Sequence, residues 1–192
     1  MLIFFDCEFT GLRQNTELIS IGLISEDNKT FYAEFNDFSY EYVDEWIKSN
    51  VIDNLKFNEF HSIKKAEEPY ESNEYFVKGN KREVTSSLMS WLSQFDEIDF
   101  VSDVCHYDFI LLIDLLFETA LNIPPYISPI CHDINNDIAE DYDITLKEAF
   151  NKSREGILYE YKYCTDMIVE KHNSLYDAKV IKAIFEILRG LV

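Results

Sequence analysis

The chain has 192 residues, 47% of them hydrophobic, with 15 Phe and 12 Tyr; that excludes a disordered protein and fits one core in a single domain spanning residues 1–192. A net charge of −19 excludes an architectural protein that coats long nucleic acid with a basic surface. No apolar run approaches the roughly 18 residues of a membrane span, and no basic stretch precedes an apolar one at the start, so a cytoplasmic protein with no membrane partner is expected.

In chain order, Leu2–Phe9 reads as a strand ended by Thr10-Gly11, with a loop from Leu12 to Thr16. Glu17–Ile24 and Thr30–Phe35 read as two further strands around a Glu26-Asp27-Asn28 turn, so an antiparallel meander opens the chain. Tyr42, Val43, Trp46 and Ile47 predict a short helical stripe, and the mixed stretch from Asn50 to about Asn80 predicts irregular structure. Val84, Leu88, Trp91, Leu92 and Phe95 fall at helical spacing, and Ile98–Ser102 reads as a strand. Phe109, Leu112, Ile113, Leu116 and Phe117 predict another helix, stopped before Pro124-Pro125. Ser128–Cys131 predicts a last short strand, Thr145 to Glu148 has capping-box spacing, and Gly156 to Glu170 reads as helical. Ser174–Leu188 closes the chain as an apolar-faced helix. The order implies an α/β domain on a mixed five-stranded sheet with helices on both faces. Cysteines 7, 105, 131 and 164 form no CxxC pair and read as reduced thiols rather than as a zinc site or disulfides.

The chemistry lies in the acids. On a strand, the period of two puts Asp6 and Glu8 on one face, where two like charges in an apolar setting call for a hard cation. Asp108 falls at the start of a helix that follows a strand, where free backbone N–H groups favour a carboxylate. Asp177 falls in the first turn of the closing helix; Ser174, three residues earlier, has N-cap spacing and leaves His172 on the incoming loop. Four carboxylates around one point suit two Mg²⁺ or Mn²⁺ ions about 4 Å apart, with a histidine to take the proton of an attacking water.

Asp6-x-Glu8 followed by Thr10-Gly11, Tyr107-Asp108, and His172 five residues before Asp177 resemble the three motifs of the DEDDh 3′-to-5′ exonucleases. The resemblance runs over essentially the whole chain and is nearest to the bacterial and phage 3′-exoribonuclease branch that includes ribonuclease AS. It implies a ribonuclease H-like fold and two-metal hydrolysis of RNA from a free 3′-OH, on single strands or short 3′ overhangs, releasing nucleoside 5′-monophosphates. It implies that Asp6, Glu8, Asp108 and Asp177 hold the metals and that His172 is the general base. Phe9, Thr10 and Leu12 follow the pattern of the segment that meets the 3′-terminal nucleotide, through a backbone N–H of Phe9 or Thr10 and packing by Phe9 or Leu12. His106 and Tyr107 are further substrate-side candidates, and Glu17 a supporting one. Asp103-Val104 departs from the His-Asn of many relatives; Asp103 is a substrate-side candidate expected either at the rim of the metal site or in place of a polar contact behind the ligands.

Two other readings stay open at this stage. One keeps the chemistry and changes the substrate to single-stranded DNA, since no residue marks a 2′-OH contact. The other is a non-catalytic nucleic-acid-binding or scaffolding domain on the same fold. A homodimer is compatible with the resemblance, although no stretch marks an interface. Arg13, Lys78, Lys81, Arg82 and Lys179 are candidates for a modest phosphate-facing rim.

Overall fold

The computed structural model describes residues 1–57, 73–163 and 171–191. Strands β1 (Leu2–Phe9), β2 (Leu18–Ser25) and β3 (Thr30–Phe35) form the expected antiparallel meander. Nearly every residue of β2 and β3 is buried, which requires cover on both faces of the sheet. Strand β4 (Glu74–Gly79) pairs with β3 in parallel, and β5 (Asp99–Ser102) pairs with β1 in parallel. The two-residue β6 (His132–Asp133) extends β5, giving the order β4-β3-β2-β1-β5-β6.

The sheet therefore has six strands where five were expected. The added one, β4, buries Tyr75, Val77 and Gly79 and exposes Glu74 and Lys78, a period of two inside the stretch read as irregular. The last strand also lies later than Ser128–Cys131. Pro129 has no N–H to give to a ladder, so only an isolated bridge between Ile98 and Ile127 forms before pairing resumes at His132.

Helix α1 (Glu45–Asn50) follows β3. Helices α2 (Lys81–Leu92) and α3 (Cys105–Phe117) cover one face of the sheet, packed with Ile3, Phe5 and Cys7 of β1. The other face carries α4 (Ile134–Asp141), α5 (Leu146–Asn151), α6 (Arg154–Glu160) and α7 (Ser174–Leu188), packed with Phe4, Ile24 and Val101. Thr145 and Glu148 form the expected capping box at α5, whereas α4 was not anticipated. The helix expected over 156–170 starts at Arg154 and stops at Glu160, with Lys162 in a left-handed turn; its expected continuation over 164–170 lies outside the described residues. Among the described residues no helix is long and apolar enough to cross a membrane.

Candidate metal centre

The alternation of β1 sets the site. Because Phe4 faces the α7 side, Asp6 and Glu8 do too, beside the N-terminal end of α7. That end is seated closely on β2. A Cβ at Gly22 would lie 2.2 Å from the Leu175 nitrogen and 2.3 Å from its Cα, so only glycine lets the helix backbone approach this near. Two hydrogen bonds fix the contact: Ser20 Oγ and Ser174 Oγ lie 2.9 Å apart, and Asn173 Nδ2 donates to the Tyr32 hydroxyl at 3.2 Å.

Asn173, one residue before the expected Ser174, is the N-cap of α7; its side chain accepts from the Tyr176 N–H. His172 stands outside the helix, as expected, and its left-handed backbone (φ +64°) folds it back so that its N–H donates to Asp177 Oδ2 at 3.1 Å. The imidazole meets the ring of Trp46 on α1 edge to face, with centroids 5.0 Å apart, and Asn54 Nδ2 donates to the preceding Lys171 carbonyl. Donor atoms of Glu8, His172 and Asp177 all lie within 4.8 Å of one another. Asp108, buried in the first turn of α3, accepts from the Cys7 N–H at 3.1 Å and from Ser102 Oγ at 3.5 Å, which ties α3 to β1.

Burial is the main cause of the electrostatic strain, and mutual repulsion adds to it. The Asp6 carboxyl is pushed well above the usual range by desolvation, then by Asp108, Asp177, Glu8 and Asp103. Glu8 is pushed up to about 9 by desolvation, then by Asp177 and Asp108. Asp108 and Asp177 rise to about 7, again chiefly by desolvation, each partly offset by the backbone N–H it accepts. His172 moves down from its ordinary value through desolvation, then through Lys171. Among the described residues no lysine or arginine forms an ion pair with any of the four carboxylates, and the Lys171 ammonium is paired with Glu155 at 3.1 Å. An oxygen-rich donor set with one imidazole and, among the described residues, no lysine or arginine paired with it fits hard divalent cations.

Beside the acids lies an apolar cleft of about 440 Å³ between the segment after β1 and the start of α3. It is lined by Phe9, Leu12, His106, Tyr107 and Ile110, with Leu12 73% and Tyr107 44% exposed and so free to meet a flat ligand. Thr10 is buried, and its N–H and hydroxyl are both taken by Glu17 of the next segment. Of the two backbone N–H groups expected to meet a ligand here, that of Thr10 is therefore committed within the fold. Arg13, expected on a rim, instead clamps the loop: it donates to the carbonyls of Thr10 and Tyr42 and lies over the Tyr42 ring. Lys78 and Lys81 are paired with Glu34 and Asp114. The structure thus brings Asp6, Glu8, Asp108, His172 and Asp177 together, with Phe9, Leu12, His106 and Tyr107 beside them. Asp103 lines the same cavity as Asp6, His172 and Asp177, and is bound there to Arg154. Sequence reading missed Trp46, Asn54 and the seat formed by Ser20, Gly22 and Tyr32, because each acts on the site across the fold and leaves no local signature.

No family model matches the chain. It is 36% identical over 55 residues to the 3′-5′ exoribonucleases MT2234.1 and Rv2179c of two Mycobacterium tuberculosis strains, a match spanning 29% of this chain and 33% of those proteins. The chain thus spans about a third of the length of the curated relatives it matches. Among solved structures, it aligns with one described as 3′-end specific recognition of histone mRNA stem-loop by 3′-exonuclease, with TM-score 0.60, 13% identity, 99% of this chain and 80% of that one. It also aligns with a chain from the structure of the yeast NOT1 MIF4G domain co-crystallized with CAF1, with TM-score 0.53, 15% identity, 97% of this chain and 79% of that one. At these identities the likeness establishes the fold, which is the ribonuclease H-like α/β arrangement expected from the motifs.

Proposed function

We propose that the chain is a divalent-metal-dependent 3′-to-5′ exoribonuclease of the DEDDh type. The observation that carries this reading is the convergence of Asp6, Glu8, Asp108 and Asp177 from β1, α3 and α7, with His172 folded onto Asp177 and an apolar cleft alongside. The names of the mycobacterial relatives favour RNA over DNA as the substrate.

In this reading the four carboxylates hold two Mg²⁺ or Mn²⁺ ions. When bound, these supply Lewis acidity to the scissile phosphate and to an attacking water. His172, its pKa lowered by burial, is neutral near pH 7 and accepts that water's proton on a ring nitrogen. Its N–H bond to Asp177 and its contact with Trp46 hold the ring in place. Phe9 and Leu12 pack against the 3′-terminal base and Tyr107 against its other side, an arrangement tolerant of sequence because every base has a flat face. The apolar cleft next to the acids would receive a terminal base, and the resemblance to the DEDDh motifs favours cutting at an end rather than within a strand. The acidic surface fits a short footprint, with the cations rather than lysines meeting the phosphates.

The test is a cleavage assay on matched 5′-labelled single-stranded RNA and DNA, with Mn²⁺ or EDTA and with a 3′-phosphate-blocked control. Metal-dependent laddering from a free 3′-OH, faster on RNA, is the expected result. Equal or faster cutting of DNA would reassign the substrate, and no cleavage of either strand would overturn the catalytic reading. Within the same assay Leu12→Ala is expected to raise KM for RNA by about tenfold, the loss of about one apolar side chain packed on the base, with kcat little changed. An unchanged KM would remove Leu12 from the terminal subsite.

A further inference from the structure

Asp103, like Glu155, is a further carboxylate at the edge of the centre, and among the described residues Arg154 is the cation paired with Asp103. Arg154 Nε donates to Asp103 Oδ2 at 2.6 Å and Nη2 to Oδ1 at 2.7 Å, the bidentate geometry of the strongest ion pairs. Arg154 Nη2 also donates to Asn135 Oδ1, and Nη1 to the carbonyls of Ala149 and Lys152. All five donors of the guanidinium are therefore engaged, and it has none left for a phosphate. Asn135, itself buried, donates to Asp103 Oδ1 at 2.9 Å. Asp103 immediately precedes Val104, whose left-handed backbone (φ +54°) is costly for a β-branched residue, and α3 with Asp108 begins directly after it. Asp103 and Arg154 line the same cavity as Asp6, His172 and Asp177. The Asp103 charge is near enough to Asp6, Asp108 and Asp177 to raise the pKa of each.

We propose that Arg154 is a positioning residue of the metal centre: it holds the Asp103 carboxylate away from the cations, so that the centre presents four carboxylates and not five, and it balances the charge Asp103 adds at their edge. The inference rests on the reading of the carboxylate cluster as a divalent-metal site. A carboxylate freed from Arg154 can enter the coordination shell, strengthening binding while pulling the cation from its working position. If the Arg154 network were only a mechanical tie between the end of β5 and helices α4, α5 and α6, breaking it would loosen the site and weaken binding whichever partner was removed.

The two roles differ in sign, and binding of Mn²⁺ alone to the metal-free full chain, followed by the resonance of free Mn²⁺, separates them. Arg154→Met is expected to bind Mn²⁺ about tenfold tighter yet to hydrolyse RNA about tenfold or more slowly at saturating Mn²⁺, the scale of an outer-shell change. Asp103→Asn, which leaves the cation unbalanced, is expected to bind Mn²⁺ about tenfold more weakly. The double variant is expected to return both quantities to within about threefold of the parent, since the opposed charges are removed together. Weaker binding in both single variants, no shift in either, or a double variant worse than both would overturn the proposal. If Arg154→Met does not fold, Arg154→Gln, which keeps part of the hydrogen bonding, takes its place under the same criteria. A parent that binds no Mn²⁺ overturns the metal-site reading and this inference with it; a parent that binds while the variants shift in the same direction overturns this inference alone.

Discussion

Asp6→Asn is expected to lower RNA hydrolysis by about 10³-fold or more, beyond the cost of disturbing an outer-shell partner, while making the metal-free protein more stable. The second half follows from the electrostatics. Asp6, Glu8, Asp108 and Asp177 all have folded-state pKa values raised by burial and then, for Asp6 and Glu8, by other carboxylates of the cluster, Asp108 and Asp177 foremost. A raised carboxylate keeps its proton in the folded state at pH values where the unfolded chain has released it. The contribution of these four groups to the folding stability of the metal-free protein therefore falls as pH rises from about 4, where unfolded carboxylates titrate, towards about 9, the folded value of Glu8. A divalent cation bound only by the native state offsets that loss. Removing the Asp6 charge makes the slope shallower, so at pH 8 and in EDTA the thermal midpoint of Asp6→Asn is expected to exceed that of the parent by several degrees, at about 2–4 °C per kcal/mol for a chain of this size. Thermal melts across pH, with and without Mn²⁺, measure both effects. A lower midpoint than the parent at pH 8, with hydrolysis retained, would contradict the assignment of Asp6.

Gly22→Ala acts on the same centre without touching it. The new Cβ would meet the Leu175 nitrogen at 2.2 Å and the Ser174 carbonyl carbon at 2.4 Å, both backbone atoms that no rotamer change can move aside. The start of α7 must lift, stretching the Ser20–Ser174 and Asn173–Tyr32 hydrogen bonds and carrying His172 and Asp177 with it. Overpacking of this kind is expected to cost about 3 kcal/mol. A displacement of about 1 Å at the reacting groups is expected to lower kcat about 100-fold in the molecules that still fold. Denaturant unfolding gives the first quantity, and kcat at a temperature where the variant is folded gives the second. Near-parental values of both would mean that α7 does not depend on this contact for its position.

The candidate metal-site residues were legible because local geometry groups them. A period of two aligns Asp6 with Glu8, and the start of α7 keeps His172 outside the helix and Asp177 within its first turn, although the cap itself is Asn173. The three-strand meander and the helices on both faces followed from apolar patterning, which burial enforces. Strand β4 is hard to read because its alternation sits within a polar stretch, and the last strand lies later than Ser128–Cys131 because Pro129 has no N–H for a ladder. What seats the site was not legible. Gly22 and Leu175 are separated by most of the chain, and Asp103 and Arg154 pair across 51 residues, so neither contact imposes a pattern on its neighbours. The basic residues show the same limit from the other side: Arg13, Lys78 and Lys81 read as free charges in sequence and are bound to partners in the fold.

The four carboxylates are proposed to form a divalent-metal centre. Anomalous scattering from crystals of the full chain soaked in Mn²⁺ tests it most directly. Two peaks about 4 Å apart, bounded by Asp6, Glu8, Asp108 and Asp177, are the expected result. An empty cluster at millimolar Mn²⁺, in protein from a batch that hydrolyses RNA, would contradict it and place the catalytic metal elsewhere.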